Sequence, residues 1–111
     1  MIYKVLTAEQ WQTLKRDGES QGAPIDVADG FIHFSTGEQL AETLTRHFAG
    51  QDKLVLAAVA PEPLGAALKW EPSRGGALFP HLYAPLRLSD IAWTQEIAWQ
   101  DGAHVLLGGL A

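Results

Sequence analysis

Two short stretches hold most of the side chains that could do chemistry. The first is Phe31-Ile32-His33-Phe34-Ser35-Thr36. It reads as a strand running into a helix start. An imidazole just before a helix N-terminus can hold a hydroxyl or carry a proton near neutral pH, and the free amides of a first turn favour an anion such as phosphate. His33 is therefore a candidate catalytic residue, with Ser35 and Thr36 as candidate cofactor-binding residues. Ser35 is equally a plain helix cap.

The second stretch is Trp70-Glu71-Pro72-Ser73-Arg74-Gly75-Gly76, followed by Phe79-Pro80-His81-Leu82-Tyr83. His81 and Tyr83, two apart on an extended segment, share a face. An imidazole beside a phenol can grip a sugar hydroxyl and stack on a flat ring, so both join His33 as candidate catalytic residues. Trp70 offers a stacking platform. Arg74 beside Gly75-Gly76 can form an anion-binding nest. Trp70 and Arg74 are candidate cofactor contacts. Glu71 is a weaker candidate base. His33, His47 and His81 lack any metal-ligand spacing, and no metal ligand is assigned.

These residues need elements to position them. Ile2 to Leu6 reads as a strand. Thr7 and Gln10 form a capping box for a helix over 8–17, ended by Gly18. Residues 18–30, rich in Gly and Asp with one Pro, read as a surface loop. Phe31 to Phe34 is a strand with His33 opposite Ile32 and Phe34. A helix over 37–48 follows, capped by Ser35 with Glu38 or by Thr36 with Gln39.

Leu54 to Ala60 is unbroken apolar, the pattern of a central strand covered on both faces. Residues 67–70 form a short strand. Leu78 to Tyr83 is extended, and Pro80 predicts an edge or bulged strand. Residues 86–93 read as a further strand, continued or paired by 96–99. Gln100-Asp101-Gly102 is a turn. Residues 103–111 are a short strand or a frayed end. Helices early and strands late predict an α+β fold with two N-terminal-half helices and a mainly antiparallel sheet.

The chain has 111 residues, enough for one domain with a proper core and no staples. It is 47% hydrophobic and 19% charged, with net charge -5. That composition excludes general disorder and argues against non-specific nucleic-acid binding, which needs a dense positive surface. With no cysteine, thiol nucleophiles and thiolate metal sites are excluded. No signal-peptide pattern opens the chain and no apolar run is long enough to span a bilayer, so a cytoplasmic protein is expected. The sequence leaves the oligomeric state open.

Taken together, Asp29 to Thr36, Leu44 to Phe48, Leu54-Val55-Leu56, Leu68 to Glu71 and Phe79 to Tyr83 resemble the bacterial family known as domain of unknown function 952. The resemblance runs from Tyr3 to about Trp93. It implies a fold similar to the ADP-ribosyltransferases and the NAD-dependent RNA 2′-phosphotransferases, a split sheet that clamps NAD. In those enzymes a strand histidine holds the ribose, an aromatic residue stacks on nicotinamide, and often a late glutamate orients the ribose hydroxyls. The resemblance places His33 at the ribose and Tyr83 or Trp70 at the base; His81 has no counterpart. Glu96 lies late in the chain, but no Gln/Glu-x-Glu motif surrounds it. Two readings follow: an NAD- or nucleotide-using transferase of ADP-ribosyltransferase-like type, or a non-catalytic nucleotide- or metabolite-binding domain.

Overall fold

The computed structural model describes residues 1–106, apart from the side chain of Arg74. Strand β1 (Ile2–Leu6) leads into helix α1 (Ala8–Asp17) through the expected capping box. Thr7 Oγ1 accepts from the Gln10 amide at 3.1 Å, and Gln10 Oε1 accepts from the Thr7 amide at 3.0 Å. Gly18 closes the helix in the left-handed region, at φ 79°.

Residues 18–30 are not a plain loop. They hold strand β2 (Glu19–Ser20) and a further helix, α2 (Pro24–Asp29), so among the described residues the expected pair of helices becomes three. Pro24 sits in the first turn, where its missing N–H costs nothing, and Gly30 ends the helix at φ 83°. Strand β3 (Ile32–His33) follows, then α3 (Leu40–Phe48). Thr36 and Gln39 make the reciprocal cap ahead of α3; Ser35 does not cap it.

The remaining strands are β4 (Leu54–Val59), β5 (Leu68–Pro72), β6 (Leu78–Leu82), β7 (Leu86–Arg87), β8 (Ile91–Gln100) and β9 (Ala103–Leu106). The strand expected over 86–93 is broken by a 3-10 turn at Leu88–Asp90. Asp101 and Gly102, both at positive φ, join β8 to β9 as a two-residue hairpin loop.

All ladders are antiparallel. One sheet runs β1-β4-β8-β9, a second β3-β6-β5, and β2 pairs with β7. The two larger sheets meet where β3 ends: Phe34 N donates to Pro80 O at 3.0 Å, while Tyr3 and Ser35 exchange both backbone bonds at 2.8 and 2.9 Å. Pro80 therefore lies in a central strand, not an edge strand. Its carbonyl faces Phe34, so its nitrogen, which has no hydrogen to give, lies on the same side, at the point where the chain leaves β6 for β1.

β4 is buried along its whole length, as its composition requires. The β1 and β4 side chains alternate between two cores. Ile2, Leu6, Val55, Ala57 and Val59 pack with Leu14, Ile32, Phe34, Leu82 and Leu86. Tyr3, Val5, Leu54, Leu56 and Ala58 pack with Leu40 and Leu44 of α3. Among the described residues, no helix is long and apolar enough to cross a membrane.

Candidate functional site

The register of the three-stranded sheet decides which side chains meet. His33 lies opposite His81, Lys69 opposite His81, and Glu71 opposite Phe79. Directly opposed residues share a face, and so do residues two apart. Phe31, His33, Lys69, Glu71, His81 and Tyr83 thus stand on one face. Ile32, Phe34 and Leu82 stand on the other, in the core. The Phe31 ring stacks on His81, centroid to centroid 4.1 Å at 25°, and lies 4.6 Å from His33 and 5.2 Å from Tyr83. His33 and His81 meet edge-on, at 5.4 Å and 72°.

Each imidazole is oriented by carboxylates. His33 Nδ1 donates to Asp26 Oδ1 at 2.6 Å, and its Nε2 faces Asp29 Oδ2 at 3.0 Å. The His33 backbone amide also donates to Asp26 Oδ1, at 3.1 Å. Asp26 Oδ2 accepts from Lys4 Nζ at 2.8 Å and from the Ala23 amide at 2.7 Å. Lys4 Nζ donates further to the His33 carbonyl at 3.0 Å. His81 Nδ1 pairs with Glu71 Oε1 at 2.9 Å, and Tyr83 Oη donates to the same oxygen at 2.7 Å. Lys69 Nζ lies 5.0 Å from the Tyr83 ring centroid.

Charge follows from these contacts. Asp26 is 1% exposed. Burial alone would push its carboxyl up, but the hydrogen bonds from His33 and the Lys4 ammonium outweigh it and hold the pKa at about 2. Burial lowers the Lys4 ammonium, and Asp26 offsets part of that shift. Hydrogen bonds from Tyr83 first and His81 second hold Glu71 below the usual carboxylate range, while Glu71 raises the Tyr83 phenol.

His33, His81, Ser35 and Phe79 line one cleft of about 560 Å³, together with Asp26 and Asp29. The cations Lys4 and Arg46 line it as well. Ser35 is buried, and its hydroxyl pairs with Thr43 Oγ1 at 2.7 Å, tying the strand end to α3. Tyr83 joins the cluster through Phe31 and Glu71, outside the cleft wall. Thr36 is held by its cap with Gln39. Trp70 does not join the cluster. Paired with Pro80 across the ladder, it lies on the opposite face and is 45% exposed. The Arg74 side chain lies outside the described residues.

The family model described as "Protein of unknown function (DUF952)" matches residues 5–94, a span that includes both motifs and α2. The chain belongs to the DUF952 family. Among solved structures it is similar to protein CC0527 from Caulobacter crescentus. The crystal structure of that protein is 50% identical, covers 94% of this chain and 92% of its own, and superposes with a TM-score of 0.90. Its solution NMR structure is 50% identical over 92% and 89% of the two chains, with a TM-score of 0.82. No curated protein matches the chain.

In this DUF952 chain the sequence reading missed Asp26, Asp29 and Lys4. One signal was present. Lys4 falls between Ile2 and Leu6 on one face of a strand, and a lysine on a buried face requires an acid. The network also sets a pH dependence. The folded Asp26 pKa, about 2, is below its ordinary value of 3.8. The stabilisation is therefore complete above about pH 4 and fades as pH falls through 2. About 2 kcal/mol should disappear across that window in urea titrations. An Asp26→Asn protein should lack this particular step.

Proposed function

We propose that the cleft beside the two histidines is a site for NAD or a related nucleotide, and that the protein is a cytoplasmic, ADP-ribosyltransferase-like transferase. The observation that carries this reading is the pairing of His33 and His81 from distant segments. Their rings lie 5.4 Å apart, each with Nδ1 on a carboxylate, at the wall of a cleft large enough for part of a nucleotide. His33 Nε2 would leave the half-exposed Asp29 for a ribose hydroxyl. Phe31 and Tyr83, beside the cleft wall, would meet a base only where it extends past His81. Glu71, held anionic by Tyr83 and His81, would stand near the positive charge that develops as the C1′–nicotinamide bond breaks. The bonding pair leaves with nicotinamide, and an acceptor oxygen bonds C1′ and loses its proton.

A second reading is binding without turnover. The late Glu96 favours it: this residue sits on β8 opposite Val55, in the four-stranded sheet, and lines a different groove against α1. A thermal-shift series with NAD, ADP-ribose and 2′-phosphorylated nucleotides tests both. Ligand at a hundredfold excess over Kd adds about 2.7 kcal/mol, a rise on the order of 10 °C for a domain this small. Nicotinamide release that His33→Ala abolishes supports the transferase, and stabilisation without release supports the binding domain. A melting point that no nucleotide moves at saturation removes both.

A further inference from the structure

We infer that His33 and His81 form a general acid–base pair able to hydrolyse a phosphoester of a small nucleotide, an inference that rests on the reading of the cleft as a nucleotide site. One hydrogen bond fixes an Nδ1 proton on each ring. A carboxylate only accepts, so a nitrogen hydrogen-bonded to one must donate. His33 donates from Nδ1 to Asp26 Oδ1 at 2.6 Å, and its Nε2 lies 3.0 Å from Asp29 Oδ2, so a proton on Nε2 would sit against a second carboxylate. His81 donates from Nδ1 to Glu71, which leaves Nε2 as a base. We assign the donor role to His33, whose Nε2 lies against a second carboxylate, and the acceptor role to its edge-on neighbour. In-line displacement at phosphorus needs those two roles.

The surroundings carry charges of both signs. His33 is faced by Asp26 and Asp29 from α2, by Lys4 from β1 and by His81 from β6. His81 is faced by Glu71 and Lys69 from β5 and by His33 from β3, and it shares Glu71 Oε1 with Tyr83. Lys4 and Arg46 line the cleft as well, Lys4 paired with Asp26 and Arg46 with Glu42, each at 2.8 Å. In the step, a water oxygen bonds phosphorus while His81 Nε2 takes its proton. The ester P–O bond breaks, its electron pair stays with the leaving oxygen, and His33 Nε2 delivers a proton to that oxygen. Asp29 is half-exposed and can yield Nε2 to the substrate. Asp26 and Glu71 are positioning residues, because they act through the rings.

The test uses adenosine 2′,3′-cyclic phosphate and bis(4-nitrophenyl) phosphate with the full chain. Hydrolysis with a bell-shaped pH profile is expected. His33→Gln and His81→Gln should each lower kcat by about 10²–10⁴ and remove opposite limbs of that profile. Because His81 is only 4% exposed, Glu71→Gln serves as a milder variant: kcat falls about tenfold with KM and melting point held. Folded protein that cleaves neither ester between about pH 5 and 9 overturns the inference, and so does cleavage that survives both histidine changes. Stabilisation by cyclic nucleotide or NAD without cleavage overturns it while leaving the nucleotide site standing. Cleavage of the nitrophenyl ester with no melting shift from any nucleotide supports the pair and sinks the nucleotide reading.

Discussion

An Asp26→Ala protein is expected to be about 3–5 kcal/mol less stable than the parent in urea denaturation. The substitution removes a carboxylate that accepts from Lys4 Nζ, Ala23 N, His33 N and His33 Nδ1. The lost bonds matter less than what they leave behind. Lys4 is buried, and its ammonium would face the cavity with only the His33 carbonyl as partner. Stranding one member of a buried pair costs more than deleting both. Lys4→Met should cost less than Asp26→Ala, because Asp26 would keep three donors. A loss under about 1 kcal/mol for Asp26→Ala would show that the network does not hold the fold.

Gly22→Ala should cost about 2–4 kcal/mol through the same carboxylate. Gly22 sits at φ 98°, which alanine adopts only with strain, and an added Cβ would lie 2.8 Å from Asp26 Cγ. Asp26 has no slack to give, since both its oxygens are engaged. The other glycines of the described chain have no such neighbour within 3 Å of a built Cβ. The two losses should not add. In an Asp26→Ala background the carboxylate part of the clash is gone but the Cβ at 26 stays 2.6 Å from the added methyl, so Gly22→Ala should cost less than in the parent and more than its backbone strain alone. Strict additivity in the double mutant would mean that the two sites are independent.

Why Asp26 escaped the sequence reading is itself physical. Helix α2 is inverted: Ile25 and Val27 are 64% and 63% exposed, while the residue between them is the buried one. Hydrophobic periodicity finds helices that bury apolar faces, so it passes over a six-residue helix that buries an acid. The punctuation was there in Pro24 and Gly30, but it reads equally well as a loop. By contrast, α1 was legible because Thr7 and Gln10 satisfy each other within one turn, and β4 because an apolar run needs cover on both faces. Both depend on nearby residues alone.

Tertiary choices were less legible. Ser35 and Thr36 are each competent caps, and the bonds of Ser35 to Tyr3 and Thr43 leave the cap to Thr36. Alternation correctly set His33 opposite Ile32 and Phe34, and His81 with Tyr83. It could not place Trp70, because that required the β5–β6 register.

The position of β1 has a consequence for how the chain is made. Its partner is β4, with Ile2 against Val59, about 57 residues later. At roughly 5–20 residues per second of synthesis, β1 waits about 3–11 s for that partner. During the wait Ile2-Tyr3-Lys4-Val5-Leu6 is a short sticky segment with its backbone unpaired, the kind that seeds aggregation. Lys4 interrupts it with a solvated charge. The residue that later anchors Asp26 therefore first serves as a gatekeeper for the nascent strand, and loses that exposure only when α2 and β4 close around it.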